Sequence, residues 1–165
     1  MELEQNRRSR LEIITGERGV GKSTYCQHKV IEACHAGRKV AGLLSIAQFR
    51  QGEKVGIEVE DLSKGERRLL ASAIPGSSDD LRLGPWFFDN RTIEWGNKVL
   101  ERTPSCDLLV VDELGILEFD RSQGFISAFD ILDKGEFLLA MVVIRPEYLD
   151  RTLDRWPWAE IIRIE

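Results

Sequence analysis

Gly16-Glu17-Arg18-Gly19-Val20-Gly21-Lys22-Ser23, with Thr24 next, stands between an apolar run over 11–15 and a helical stretch over about 22–36. The spacing is that of the phosphate-binding loop G-x-x-x-x-G-K-[ST], and a strand before it and a helix after it are the context the motif needs. Glycines let the chain turn tightly and bring amides near phosphate oxygens with no Cβ in the way. Gly16 and Gly19 are expected to supply the turn. The amides of Val20, Gly21 and Lys22 are expected to face the loop interior, where the helix N-terminus adds its positive dipole. Lys22 is predicted to reach the β- and γ-phosphates, Ser23 to ligate Mg²⁺ and Thr24 to touch the α-phosphate. Glu17 and Arg18 hold variable positions and are expected in solvent, Arg18 within reach of phosphate.

Outward from the loop, strands and helices alternate. Residues 1–10 read as a polar tail without the apolar stretch of a signal peptide, and 11–165 as a single domain. Cys26, Val30, Ala33 and Cys34 mark the inward face of the first helix, and Gly37 its stop. A buried strand is predicted over 40–44. Alternation over 55–61 and 68–73, around the turn Asp61-Leu62-Ser63-Lys64-Gly65-Glu66, predicts an antiparallel hairpin or meander. Residues 74–78 read as a loop and 81–88 as a strand. A helix capped by Asp89 or Asn90 should run to about Arg102 with Ile93, Val99 and Leu100 inward. The continuous apolar run 108–111 is that of a central parallel strand. A helix carrying Phe125, Phe129 and Leu132 closes at Gly135, and strands follow over 137–144 and 161–164. The predicted architecture is a three-layer α/β fold of P-loop type, its mainly parallel sheet carrying an inserted antiparallel hairpin.

The strand over 108–111 ends in Asp112-Glu113, the form of a Walker B element. Asp112 is predicted to hold a water of the Mg²⁺ shell, and Glu113 to orient and polarise an attacking water. That acidic pair favours hydrolysis over transfer to a second substrate. Arg145 follows the strand over 137–144 directly. In parallel sheets the carboxyl ends of strands face the ligand, so Arg145 is a candidate for the γ-phosphate. The expected cofactor is Mg²⁺, and the expected ligands are ATP, GTP or other nucleoside triphosphates.

Composition bounds the alternatives. The 165 residues carry a net charge of −5, 42% apolar and 31% charged residues, values of a globular chain. An acidic surface gives no strong signal for nucleic acid or anionic membranes. No apolar run is long enough to span a bilayer, and a cytoplasmic location is expected. Three cysteines without a CxxC pair argue against a disulfide framework. His28 and His35 share a helix but find no completing ligand set. A protein partner stays open and unidentified.

Three stretches taken together resemble the P-loop nucleoside-triphosphatases typified by thermostable archaeal and bacterial enzymes and the human cancer-related nucleoside triphosphatase. The first is 16–24. The second, 50–67, is similar to that family's R-x-G-G-K-R-x-G-F hairpin and D-L-x-x-G-E-R turn. The third, Asp112-Glu113-Leu114-Gly115-Ile116-Leu117-Glu118-Phe119, is similar to its D-E-[IL]-G-x-[ML]-E-[LF]. The strand end Val142-Val143-Ile144-Arg145-Pro146 also resembles the family's. The resemblance implies a RecA-like sheet and hydrolysis of several triphosphates with low base selectivity. It implies Lys22 and Ser23 at phosphate and Mg²⁺, Asp112 and Glu113 at the metal shell and the water, and Arg50 facing the nucleotide. The chain departs from the pattern at Glu53, at Ile46-Ala47-Gln48 and at Ile116.

Other readings stay open. Leu62-Ser63-Lys64-Gly65-Glu66 looks superficially like the signature of ABC-type ATPases, but it lies between alternating strands far upstream of the acidic motif, so a hairpin turn is expected. A nucleotide or small-molecule kinase would need an arginine-rich lid, for which Arg151, Arg155 and Arg163 are candidates. A slow nucleotide-dependent switch or partner-binding subunit could use the aromatic cluster Trp86-Phe87-Phe88, which also reads as a core strand. No N-K-x-D guanine reader is present.

Overall fold

A computed structural model describes residues 9–76 and 80–165. The polar tail expected over 1–10 therefore lies outside the described residues except for Ser9 and Arg10, and the loop over 74–78 lies partly outside them. The elements in chain order are β1 (Arg10–Thr15), α1 (Lys22–His35), β2 (Val40–Arg50), β3 (Glu53–Asp61), β4 (Arg67–Ser72), β5 (Leu81–Leu83), β6 (Trp86–Phe88), α2 (Asn90–Glu101), β7 (Cys106–Leu114), α3 (Ile116–Arg121), α4 (Ser127–Lys134), β8 (Phe137–Ile144), a 3₁₀ turn (Pro146–Tyr148), α5 (Leu149–Arg155) and β9 (Glu160–Arg163).

Among the described residues all strands join one sheet in the order β5-β6-β4-β3-β2-β7-β8-β1-β9. From β2 to β9 the pairings are parallel, and from β2 to β5 they are antiparallel. The sheet is thus divided evenly between the two kinds of pairing, a correction to the mainly parallel sheet expected. β2 is the reason. Its first residues pair with β7, and the strand then continues past Leu44 to Arg50 as the partner of β3.

The two faces of the parallel strands bury alternate residues, as the period of two requires. Ile14, Leu108, Val110, Met141 and Val143 pack with Cys26 and Ala33 of α1. Ile13, Leu109, Val111, Ala140 and Val142 pack on the other face with Ile93 and Leu100 of α2, Ala128 and Leu132 of α4, and Trp156 beyond α5. Helices on both faces give the three layers. Cys34, expected inward, is exposed. The buried positions of α1 are Cys26 and Ala33, and one step beyond Ala33 the helix turns outward.

The strand expected over 81–88 is a tight hairpin, broken by Gly84 at φ 57 and by Pro85. The helix expected before Gly135 is split. α3 ends at Ser122, which is left-handed, and Phe125 precedes α4 rather than lying in it. The Asp61–Glu66 segment is a turn, closed by Gly65 N–H on the Asp61 carbonyl at 2.7 Å. Asp89 caps α2, its carboxylate accepting from the Arg91 and Thr92 amides.

Candidate active site

The phosphate-type loop leaves β1 at Thr15 and enters α1 at Lys22. Gly21 is the N-cap in a left-handed conformation, φ 101, which a glycine adopts at little cost. A Cβ on Gly16 would collide with the carbonyl of Ile164, so the loop lies directly against the chain leaving β9. Lys22 Nζ donates to the carbonyls of Gly16 at 2.7 Å and Glu17 at 2.8 Å. The ammonium is therefore held across the mouth of its own loop. Gly19 is left-handed at φ 79. The Val20 amide, expected to face the loop interior, closes a turn on the Glu17 carbonyl at 3.4 Å. Thr24 is exposed in the first turn of α1.

Across from the loop, β7 delivers Asp112. Its Oδ2 accepts from Ser23 Oγ at 2.8 Å and from the Ser45 amide at 3.1 Å. Ser45 Oγ in turn donates to the Asp112 carbonyl at 2.9 Å. Asp112 is only 2% exposed, and burial pushes its carboxyl up to about 7 against the opposing hydrogen bond from Ser23. A hydroxyl and a carboxylate side by side are hard oxygen donors of the kind Mg²⁺ takes. A divalent cation there would favour the ionised form that burial disfavours, so the residues present fit the metal.

Glu113 follows across a cis peptide, and Arg145 Nε donates to its Oε1 at 2.6 Å. The two candidate residues are thus partners at the ends of adjacent strands β7 and β8. A cleft of about 500 Å³ opens beside them. Ser23, Asp112, Glu113, Arg145 and Arg18 line it together with Trp86, Phe88, Ile57 and Leu117.

Some expected residues are elsewhere. Arg50 is exposed at the tip of the β2–β3 hairpin and is not part of the cleft wall; Lys54, four residues on, is. Arg151 pairs with Asp120 and donates to the Phe119 carbonyl, while Arg155 pairs with Asp133, so these two do not form a lid. Arg163 ends β9 at the sheet edge. Glu118 is buried; its Oε2 accepts from the Gly115 amide and its Oε1 from the Phe125 amide. Burial holds its carboxyl above the ordinary range, and its work is to tie the α3 loop together. Sequence reasoning gave no role to Ser45, which lies one residue past the apolar run read over 40–44, or to Lys54, which lies in the family-like hairpin stretch just before its alternating run.

Among solved structures, the chain is similar to a human cancer-related nucleoside triphosphatase, with a TM-score of 0.72, 24% identity, and 95% of this chain and 89% of that one covered. It is also similar to THEP1 of Aquifex aeolicus, with a TM-score of 0.66, 19% identity, and coverage of 93% and 89%. At those identities the likeness concerns the fold. Among curated proteins, it is 31% identical to the nucleoside-triphosphatase THEP1 of Archaeoglobus fulgidus over 86% of this chain and 81% of the relative. It is 31% identical to that of Methanosarcina acetivorans over 78% and 73%. The family model described as NTPase matches residues 12–164, from β1 to the end of β9, and the chain belongs to that nucleoside-triphosphatase family.

Proposed function

We propose that this chain hydrolyses nucleoside triphosphates to the diphosphate and inorganic phosphate, depends on Mg²⁺, and accepts several bases. One observation carries the reading: Ser23 Oγ lies 2.8 Å from the buried Asp112 carboxylate, with Glu113 and Arg145 beside it in the same cleft. In this reading the chain over 11–165 is a single domain of RecA-like layout, and the position of β8 between β1 and β7 is consistent with it. A cytoplasmic location suits such an activity.

In this reading Gly16, Gly19, Val20, Gly21, Lys22, Ser23 and Thr24 hold the phosphate tail. Mg²⁺, held by Ser23 and by Asp112 through water, would neutralise phosphate charge. Arg145 turns from Glu113 to the γ-phosphate, whose oxygens compete for the guanidinium. Glu113 then orients a water in line with the bond to be broken. The water oxygen bonds to the γ-phosphorus, its proton passes to Glu113, and the β–γ bridging oxygen leaves with the diphosphate. Lys22 already bonds loop carbonyls, so it meets the phosphates with little rearrangement. The sequence has no N-K-x-D guanine reader, so that motif gives no preference for GTP, in keeping with a site that accepts several bases.

Phosphate release from ATP, GTP, CTP and UTP, with and without Mg²⁺, tests this. Glu113→Gln should keep nucleotide affinity and lose about 100- to 1,000-fold in turnover; unchanged turnover would sink the assigned role. A second reading, phosphoryl transfer to an acceptor, has one observation in its favour: the cleft of about 500 Å³ that Glu113 lines also has apolar lining residues such as Ile57, Phe88 and Leu117. Phosphate released with no acceptor present decides against it.

A further inference from the structure

The cleft contains a cation that the reaction just described does not use. Lys54 stands near the start of β3, in register with Phe49 of β2, and lines the cleft with Ser23, Asp112, Glu113 and Arg145. Its ammonium lies 5.5 Å from the centroid of the Trp86 ring. Trp86 belongs to β6, so two strands of the antiparallel half hold one cation over the carboxyl ends of the parallel half.

The plain alternative is an exposed lysine near a hairpin tip, solvated and without a task. Its surroundings argue otherwise. Lys54 is accessible to solvent, yet it sits below the ordinary lysine value, first through partial desolvation and then through repulsion by Arg18 and Arg145, with Glu113 and Asp112 pulling the other way. Arg18, Lys54 and Arg145 all line one cleft. Among the described residues no carboxylate is within ion-pairing distance of Lys54, while Arg145 already has Glu113. Three cations lining one cleft repel one another unless an anion lies among them, and the Trp86 face restricts where the flexible lysine stem can place its charge.

We propose that Lys54 is a catalytic residue that contacts the γ-phosphate and neutralises charge developing on the transferring phosphoryl group, with Trp86 as its positioning residue. This rests on the reading that the loop over 16–23 holds a triphosphate tail. The loop and Lys22 grip the tail from the α1 side. Lys54 comes from β3, in the antiparallel half, and shares the cleft with Glu113, so in this proposal it meets the terminal phosphate. A cation placed there distinguishes a triphosphate from a diphosphate, and it acts most strongly on the charge of the transition state.

The test uses the full chain in five variants: Lys54→Met, Lys54→Arg, Trp86→Ala, Trp86→Phe and Lys64→Ala. Steady-state phosphate release from Mg²⁺-ATP is measured beside affinities for a fluorescent non-hydrolysable ATP analogue and for fluorescent ADP. Lys54→Met should lower kcat about 100-fold and weaken the triphosphate analogue about 10-fold, leaving ADP affinity unchanged. Lys54→Arg should retain most turnover. Trp86→Ala should share part of the kcat loss, and Trp86→Phe should recover it, because a π face is kept. Lys64→Ala, on the β3–β4 turn, should match the wild type. Wild-type kcat in Lys54→Met, or equal weakening of tri- and diphosphate binding, overturns the proposal. A Lys54→Met protein that fails to fold is replaced by Lys54→Gln, judged by the same two criteria. Glu113→Gln separates the two failures. If it is inactive while Lys54→Met is fully active, only the role of Lys54 falls; if Glu113→Gln turns over normally, the hydrolytic reading falls first.

Discussion

Asp112→Asn, studied in metal-free protein, should make the chain more stable at pH 8 and insensitive to Mg²⁺. Burial raises the Asp112 carboxyl from 3.8 to about 7. Below about pH 4 the group is protonated in both folded and unfolded chains and costs nothing. As pH rises towards 7 only the unfolded chain ionises, so the native state loses stability at about 1.4 kcal/mol per pH unit. Above pH 7 the loss is complete, and the interval between 3.8 and about 7 corresponds to about 4 kcal/mol. Asparagine is neutral throughout. Its amide oxygen can still accept from Ser23 Oγ and the Ser45 amide, the two donors that Asp112 Oδ2 now serves. Thermal melts in chelator from pH 5 to pH 8 measure the difference. The wild type should lose stability across that window more steeply than Asp112→Asn, in which the buried Glu118 still titrates, with the variant melting about 5–15 °C higher at pH 8. Added Mg²⁺ should then raise the wild type alone. Parallel slopes for the two proteins, or a variant less stable at pH 8, would refute the idea that this carboxylate is held in place for a cation.

Three further outcomes follow from buried groups away from the phosphate loop's chemistry. Trp156 is fully buried and its Nε1 donates to Asp133 Oδ1 at 2.8 Å; Trp156→Ala should cost about 3–5 kcal/mol in urea titrations. Glu118 uses one oxygen for the Gly115 amide and the other for the Phe125 amide. Glu118→Gln keeps one acceptor and sets an NH₂ against the other donor, so a loss of about 1–3 kcal/mol is expected by the same titration. Thr15 Oγ1 is buried with no hydrogen-bond partner among the described residues. Thr15→Val should raise stability by about 1 kcal/mol with nucleotide affinity unchanged.

What could be read in the sequence was whatever each stretch decides for itself. The strand over 137–144 matches β8 to the residue, since a short apolar run between Gly135 and Pro146 suits a central strand covered on both faces. The pair Asp89-Asn90 announced α2, and Asp89 is the one that caps it, since a carboxylate at the N-cap satisfies amides that are its immediate neighbours. The misreadings are places where a distant contact overrode a local pattern. The helix predicted to carry Phe125 is broken because the Glu118 carboxylate reaches forward to the Phe125 amide and reshapes the segment. β2 is longer than its apolar run because β3 pairs with its polar end, and pairing satisfies backbone groups whatever the side chains are. Cys34 looked inward by spacing alone.

The same distinction explains which parts of the site were visible. Ser23 and Asp112 are 89 residues apart, yet both were legible, because each motif carries its own destination. One closes the end of β1, the other ends β7, and parallel strands bring their carboxyl ends to one edge of the sheet. Knowing that the strands are parallel is enough to bring the two together. Lys54 and Trp86 have no such guarantee. Their meeting requires β4 to pair with both β3 and β6 and the Gly84-Pro85 turn to face the cleft. Alternation fixes which face of a strand a residue occupies, but not what lies opposite that face. The antiparallel half therefore reads as a plain meander until its strands are in register, when Lys54 comes to share one cleft with Glu113.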